Sequence, residues 1–175
     1  MYERSLTVGE ALRFANHDFL NHLQIISMHL QMGNIDGAFQ SIEEFRIKVS
    51  QTSKLSKMQL SKTAEWLLTA SWRFPALKLN IINECLKEAD SQIDETIASY
   101  LEHTVIHVYN EMDPFSEQHC TISICDNPTF RIKMYLQGKW TEQSKVLIYE
   151  SSSSIDVDII EQNETAIQVI FTVKE

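Results

Sequence analysis

From position 16 to position 24 the chain reads Asn-His-Asp-Phe-Leu-Asn-His-Leu-Gln. Its most reactive pairing is His17 followed directly by Asp18. A neutral imidazole is a good nucleophile near pH 7 and can accept a phosphoryl group, giving an energy-rich phosphoramidate. The ring must protrude for this to happen. An adjacent carboxylate such as Asp18 can hold the imidazole tautomer or accept its proton. A cation such as Arg13 can counter phosphoryl charge. A protruding ring on a rigid scaffold can be offered to another protein's aspartate pocket, where catalysis is mostly positioning.

These residues need a helix to arrange them. With about 100° per residue and Leu12 at zero, Phe19, Leu23, Ile26 and Leu30 fall within about 40° of zero. His17 falls near about 140°, with Arg13, Gln24, Met28 and Asn21 between about 100° and 180° on the same side. His17 is therefore expected in solvent, with Arg13 one turn before it and Asn21 one turn after. Periodicity alone shows only that His17 is available.

Residues 5–32 read as this one long helix, with Leu12, Phe19, Leu23, Ile26 and Leu30 as an a/d seam. Gly33-Asn34 stops it, with glycine where a C-cap wants a positive φ. A second helix is expected from about Asp36 to Leu55, with Ile35, Phe39, Ile42, Phe45 or Arg46, and Val49 on its seam. So short a turn makes the helices antiparallel neighbours. Two helices cannot enclose a core, so the hairpin is expected to form a four-helix bundle as a homodimer. The alternative is packing against its own C-terminal half.

Residues 50–62 are polar and rich in serine and lysine, and the domain boundary is placed there: 1–58 as the helical hairpin, 59–175 as a second domain. The second part mixes both periods. Thr63–Arg73 reads as a helix with Trp66, Leu67 and Ala70 on one face, and Ser91–Met112 as another. Strands are expected at Leu77–Ile82, His119–Cys125, Thr129–Leu136, Ile155–Ile160 and Ala166–Val173, with Asn127-Pro128 turning the second into the third. Lys139–Tyr149 reads as a short helix. Helices on one face of a mixed sheet make this half α/β or α+β, and the whole chain is expected to be α+β.

Composition removes several function classes. The first 60 residues carry six acids and six bases, so the whole net charge of −9 falls on the remainder. An acidic surplus repels nucleic acid, and no basic stripe is present. The chain has no signal-peptide pattern and no 18-residue apolar run, which predicts a soluble, cytoplasmic protein. Cys85, Cys120 and Cys125 sit in apolar or strand-like runs and read as free thiols. About 7% glycine is usual, but this chain has only four: Gly9, Gly33, Gly37 and Gly138. None are spaced for a nucleotide-binding loop.

The segment His17-Asp18-Phe19-Leu20-Asn21-His22-Leu23-Gln24, followed by Ile25-Ile26 and a hairpin turn, resembles the phosphorylation helix of the sporulation initiation phosphotransferase B family. It also resembles the histidine box of citrate- and dicarboxylate-sensing histidine kinases. The shared pattern is His-Asp-aromatic-aliphatic-Asn-x-Leu-Gln. More weakly, the resemblance extends over the whole chain, as a hairpin followed by a degenerate histidine-kinase ATPase domain. It implies a homodimeric phosphorelay phosphotransferase. His17 would take phosphate from the aspartate of a small response regulator and give it to the aspartate of a second, transcription-regulating one. Asp18 and Asn21 match the motif positions beside it, and Arg13 would support them. Gln24 and Met28 would help dock the receiver. No cofactor is expected in this chain, and the magnesium would sit in the receiver.

A kinase ATPase domain needs an Asp-x-Gly-x-Gly box and a glycine-rich lid, whereas the C-terminal half holds only Gly138. ATP-dependent autokinase activity is therefore not expected, although Asn110 could be a relic of an ATPase asparagine. A sensor-type kinase and a non-catalytic dimerisation module remain the rival readings. His22 and His29 flank the seam and read as packing at the helix border. His103 and His107 have the i, i+4 spacing of zinc ligands but no evident third ligand.

Overall fold

The computed structural model describes residues 6–85, 90–109, 112–113, 115–140, 147–150 and 152–174. The chain divides into two compact units between Lys54 and Leu55, inside the polar stretch singled out above.

The first unit is the expected helical hairpin. Helix α1 spans Val8–Gln31 and opens with a capping box. The Glu10 N–H donates to Thr7 Oγ1 at 3.3 Å, and the Thr7 N–H donates to Glu10 Oε2 at 3.0 Å. Two orphan donors of the first turn are thereby satisfied. At the other end, Gly33 adopts φ +70°, which costs glycine nothing and other residues strain. The Asn34 N–H reaches back to the His29 carbonyl at 2.9 Å and the Gly33 N–H to that of Leu30 at 3.0 Å, a Schellman closure.

Asn34 then starts the next helix, α2, over Ile35–Ser56. Its Oδ1 accepts from the Gly37 N–H at 2.9 Å, and its Nδ2 lies 3.2 Å from His29 Nδ1. A Cβ at position 37 would stand 2.5 Å from Asn34 Nδ2 and 2.6 Å from His29 Nδ1, which is why glycine sits there. Nothing in α1 is buried. Leu12, Phe19, Leu23 and Leu30 of its seam and Ile35, Phe39, Ile42 and Val49 of the α2 seam are all exposed, Phe39 by 67%.

The second unit is a mixed five-stranded sheet with two helices on one face. Helix α3 spans Ser61–Arg73 and α4 Asp94–Tyr109, the latter preceded by a 3-10 turn over Ser91–Ile93. Strands β1 (Leu77–Asn83), β2 (Gln118–Cys125), β3 (Arg131–Gln137), β4 (Ile155–Gln162) and β5 (Ala166–Val173) lie in the order β1-β2-β3-β5-β4. Only β1 and β2 pair in parallel; β2 with β3, β3 with β5 and β4 with β5 are antiparallel. Alternate residues Cys120, Ile122 and Ile124, then Ile132, Met134 and Leu136, then Ile167, Val169 and Phe171 face the helices. They meet Trp66, Leu67, Ala70 and Phe74 around α3 and Ile97, Leu101, Val105 and Val108 on α4. Leu55 and Leu60 are buried in the same core.

Two expectations shift. The helix expected to reach Met112 is described as far as Tyr109, and Met112 bridges to Trp140 in antiparallel fashion. The helix expected over Lys139–Tyr149 and the relic asparagine at 110 fall largely or wholly outside the described residues, and residues 147–150 are not helical.

Buried polar groups fasten the unit. The Asp94 carboxylate, in the first turn of α4, accepts from the backbone N–H groups of Lys62 and Thr63, each at 2.8 Å, and from the Ser61 hydroxyl at 3.3 Å. It thus caps α3 from another helix. The Gln118 amide accepts from the Lys139 N–H at 3.1 Å and donates to the Asp113 carbonyl at 3.1 Å. Its Oε1 would lie 1.5 Å from a Cβ at position 138, so the one glycine of this half makes room for a buried amide.

Candidate functional site

The site is built where α1 and α2 lie side by side. The Phe45 ring of α2 packs on Phe19 and His22 of α1, with ring centres 5.8 Å and 4.6 Å apart. His22 Nδ1 lies 2.7 Å from the Asp18 carbonyl oxygen, to which it donates when protonated. His22 is thus a packing residue at the helix border, as is His29 at the turn. These contacts fix the rotation of α1 and leave His17 pointing outward, its side chain 70% exposed.

Nδ1 of His17 is the engaged nitrogen. It lies 3.2 Å from Asn21 Nδ2, which donates to it when Nδ1 is unprotonated; when Nδ1 carries the proton, the amide turned over accepts it with Oδ1. Asp18 Oδ1 stands 3.7 Å from the same nitrogen. Among the described residues none hydrogen-bonds Nε2, so that nitrogen faces solvent. An imidazole with its proton on Nδ1 presents a lone pair at Nε2, the geometry that nucleophilic attack requires.

The hairpin is similar to a known family domain. Residues 1–58 match the family model described as Sensor kinase SpoOB-type, alpha-helical domain. The chain is also similar to the Sporulation initiation phosphotransferase B of Bacillus subtilis (strain 168), 28% identical over 155 residues, which cover 85% of this chain and 79% of that protein.

Within the hairpin, the residues singled out from sequence fall into two sets. His17, Asp18 and Asn21 come together around one imidazole nitrogen. Arg13 is exposed one turn earlier, with its guanidinium 5.5 Å from the centre of the Phe14 ring. Gln24 and Met28 are exposed further along the His17 side of the helix. One neighbour escaped the sequence: Lys48 of α2, whose Nζ lies 3.8 Å from Asp18 Oδ2. No local signal marks it, because only the antiparallel packing of α2 brings it there.

Cys120 is buried, and burial pushes its thiol far above the usual range. His103 stands edge-on to Tyr149 with ring centres 5.5 Å apart, and His107 follows one turn later. The Tyr149 hydroxyl is 2.6 Å from Thr104 Oγ1, and burial pushes its pKa up to about 12. Among the described residues no group of three His, Cys, Asp or Glu could hold a metal ion. Among them too, no helix is long and apolar enough to cross a membrane.

Proposed function

We propose that this protein is a phosphorelay phosphotransferase, with His17 as the phosphoryl carrier between the aspartates of two response-regulator receivers. The observation that carries the reading is the outward His17 ring, with Nδ1 engaged by Asn21 and Nε2 facing solvent. The likeness to a protein named as a sporulation initiation phosphotransferase supports a place in a sporulation relay.

In the first step the Nε2 lone pair forms a bond to phosphorus. The P–O bond to the donor aspartate breaks, and its electron pair leaves on that carboxylate. The proton on Nδ1 stays in place, so the phosphorylated ring carries positive charge that Asp18 balances. In the second step an acceptor carboxylate oxygen attacks phosphorus, and the P–N electron pair returns to Nε2. The receivers supply the magnesium. Arg13 meets phosphoryl charge from one turn away, and Gln24 and Met28 lie where a receiver would dock.

The exposed seams of α1 and α2 support assembly of two hairpins into a four-helix bundle. Gly138 is committed to Gln118, which supports a C-terminal half without an ATP cradle. The words "sensor kinase" in the family description favour one rival, an ATP-dependent autokinase.

A transfer assay separates them. With a phosphorylated receiver as donor, label is expected on His17 and not on the His17→Ala variant. With ATP and magnesium alone, no label is expected. Full labelling of His17→Ala would overturn the assignment, and label from ATP alone would establish the kinase.

A further inference from the structure

We infer that Lys48 is a positioning residue for this transfer: from α2 it holds the Asp18 carboxylate in the orientation that keeps the His17 proton on Nδ1. The inference rests on the phosphotransfer reading, and it adds a residue from the second helix to a site otherwise confined to the first.

The geometry divides the two carboxylate oxygens of Asp18. Oδ2 faces Lys48 Nζ at 3.8 Å, while Oδ1 faces His17 Nδ1 at 3.7 Å. A half-exposed aspartate on a helix surface has other rotamers open to it, in which both oxygens turn to water. A cation on the far side of Oδ2 favours the rotamer that leaves Oδ1 beside the imidazole. A carboxylate beside Nδ1 favours the tautomer with the proton on that nitrogen, and the free lone pair then falls on Nε2.

Charge adds a second contribution. An incoming phosphoryl group is anionic, and an unbalanced Asp18 would repel it. Lys48 offsets part of that charge from the Oδ2 side. The His22 contact to the Asp18 carbonyl and the Phe45 contacts fix the backbone from which Asp18 projects.

The test uses the full-length chain and the variants Lys48→Ala, Lys48→Arg, Asp18→Asn and Lys48→Ala with Asp18→Asn. Nitrogen-15 NMR of the His17 ring reports the tautomer without any receiver. Lys48→Ala is expected to move the ring toward the Nε2–H form, and Lys48→Arg to restore the wild-type distribution. Single-turnover transfer from a phosphorylated receiver should slow by about twofold to fivefold in Lys48→Ala, the range of an exposed ion pair. In the Asp18→Asn background the same change should have no further effect. An unchanged tautomer distribution would overturn the proposal. So would an equal loss in the Asp18→Asn background, which would make Lys48 a receiver contact. Failure of wild-type transfer would remove the phosphotransfer reading, and the NMR result would still decide what Lys48 does to His17.

Discussion

Asn21 Nδ2 lies 3.2 Å from His17 Nδ1, one turn along the same helix. The amide can donate with Nδ2 or, turned over, accept with Oδ1, so it can follow the imidazole through a change of proton position. It orients the ring in either state.

Asn21→Ala should therefore leave the fold intact and slow phosphoryl transfer. A lost hydrogen bond of about 0.5–1.5 kcal/mol corresponds to roughly twofold to twelvefold. Single-turnover labelling of His17 measures this. A rate equal to wild type would remove Asn21 from the site.

The exposed seams predict an oligomer that one charge can break. Leu23 lies on the α1 seam and would enter a symmetric interface twice. Burial of each leucine side chain contributes about 1.5–3 kcal/mol. Leu23→Glu is expected to give monomers in analytical ultracentrifugation at concentrations where the wild type sediments as a dimer. If the wild type sediments as a monomer throughout, the four-helix bundle is wrong.

Asp94 predicts how the second unit responds to acid. Burial raises its carboxyl pKa, but the N–H groups of Lys62 and Thr63 and the hydroxyls of Thr63 and Ser61 outweigh burial and hold it below the ordinary value. A depressed folded-state value stabilises fully above the unfolded value of about 3.9, and the benefit is lost as pH falls through the folded value. Asp94→Ala should cost about 1–2 kcal/mol near neutral pH, the worth of a helix cap. The cost should shrink in acid below about pH 4. Urea denaturation across this range reads both effects, and a pH-independent cost would refute the linkage.

Gly138 and Gln118 should behave as one unit. Gly138→Ala places a methyl 1.5 Å from Gln118 Oε1, so the amide must leave its partners. The expected cost is about 1–3 kcal/mol, that of unsatisfying a buried polar group. Gln118→Ala should cost a similar amount, and the double variant less than the sum. Thermal melts of the four proteins test this; strict additivity would show that the two positions act independently.

The helical hairpin was legible because its signals are local. Apolar residues at helical spacing marked α1 and α2, and Gly33-Asn34 marked the turn. The same wheel put His17 in solvent and Asn21 one turn on. Lys48 was not legible, because its place depends on the rotation of one helix against another, set by Phe19, His22 and Phe45. In the second unit the strands were visible from their alternation, but their order was not. Inserting β5 between β3 and β4 is decided by long-range pairing, which no single strand encodes. The helix expected to run to Met112 does not include that residue, which pairs with Trp140, another partner distant in sequence.

The tight turn at Gly33 makes the hairpin a ruler. Asp18 and Lys48 lie fifteen residues to either side of that glycine, so equal arm lengths bring them level. One residue inserted between Gly33 and Lys48 would swing the lysine about 100° around its helix and advance it about 1.5 Å. Either arm can then change length only if the other changes with it. The count from the turn to each of the two residues, together with the Phe19, His22 and Phe45 contacts, is what keeps the pair in register.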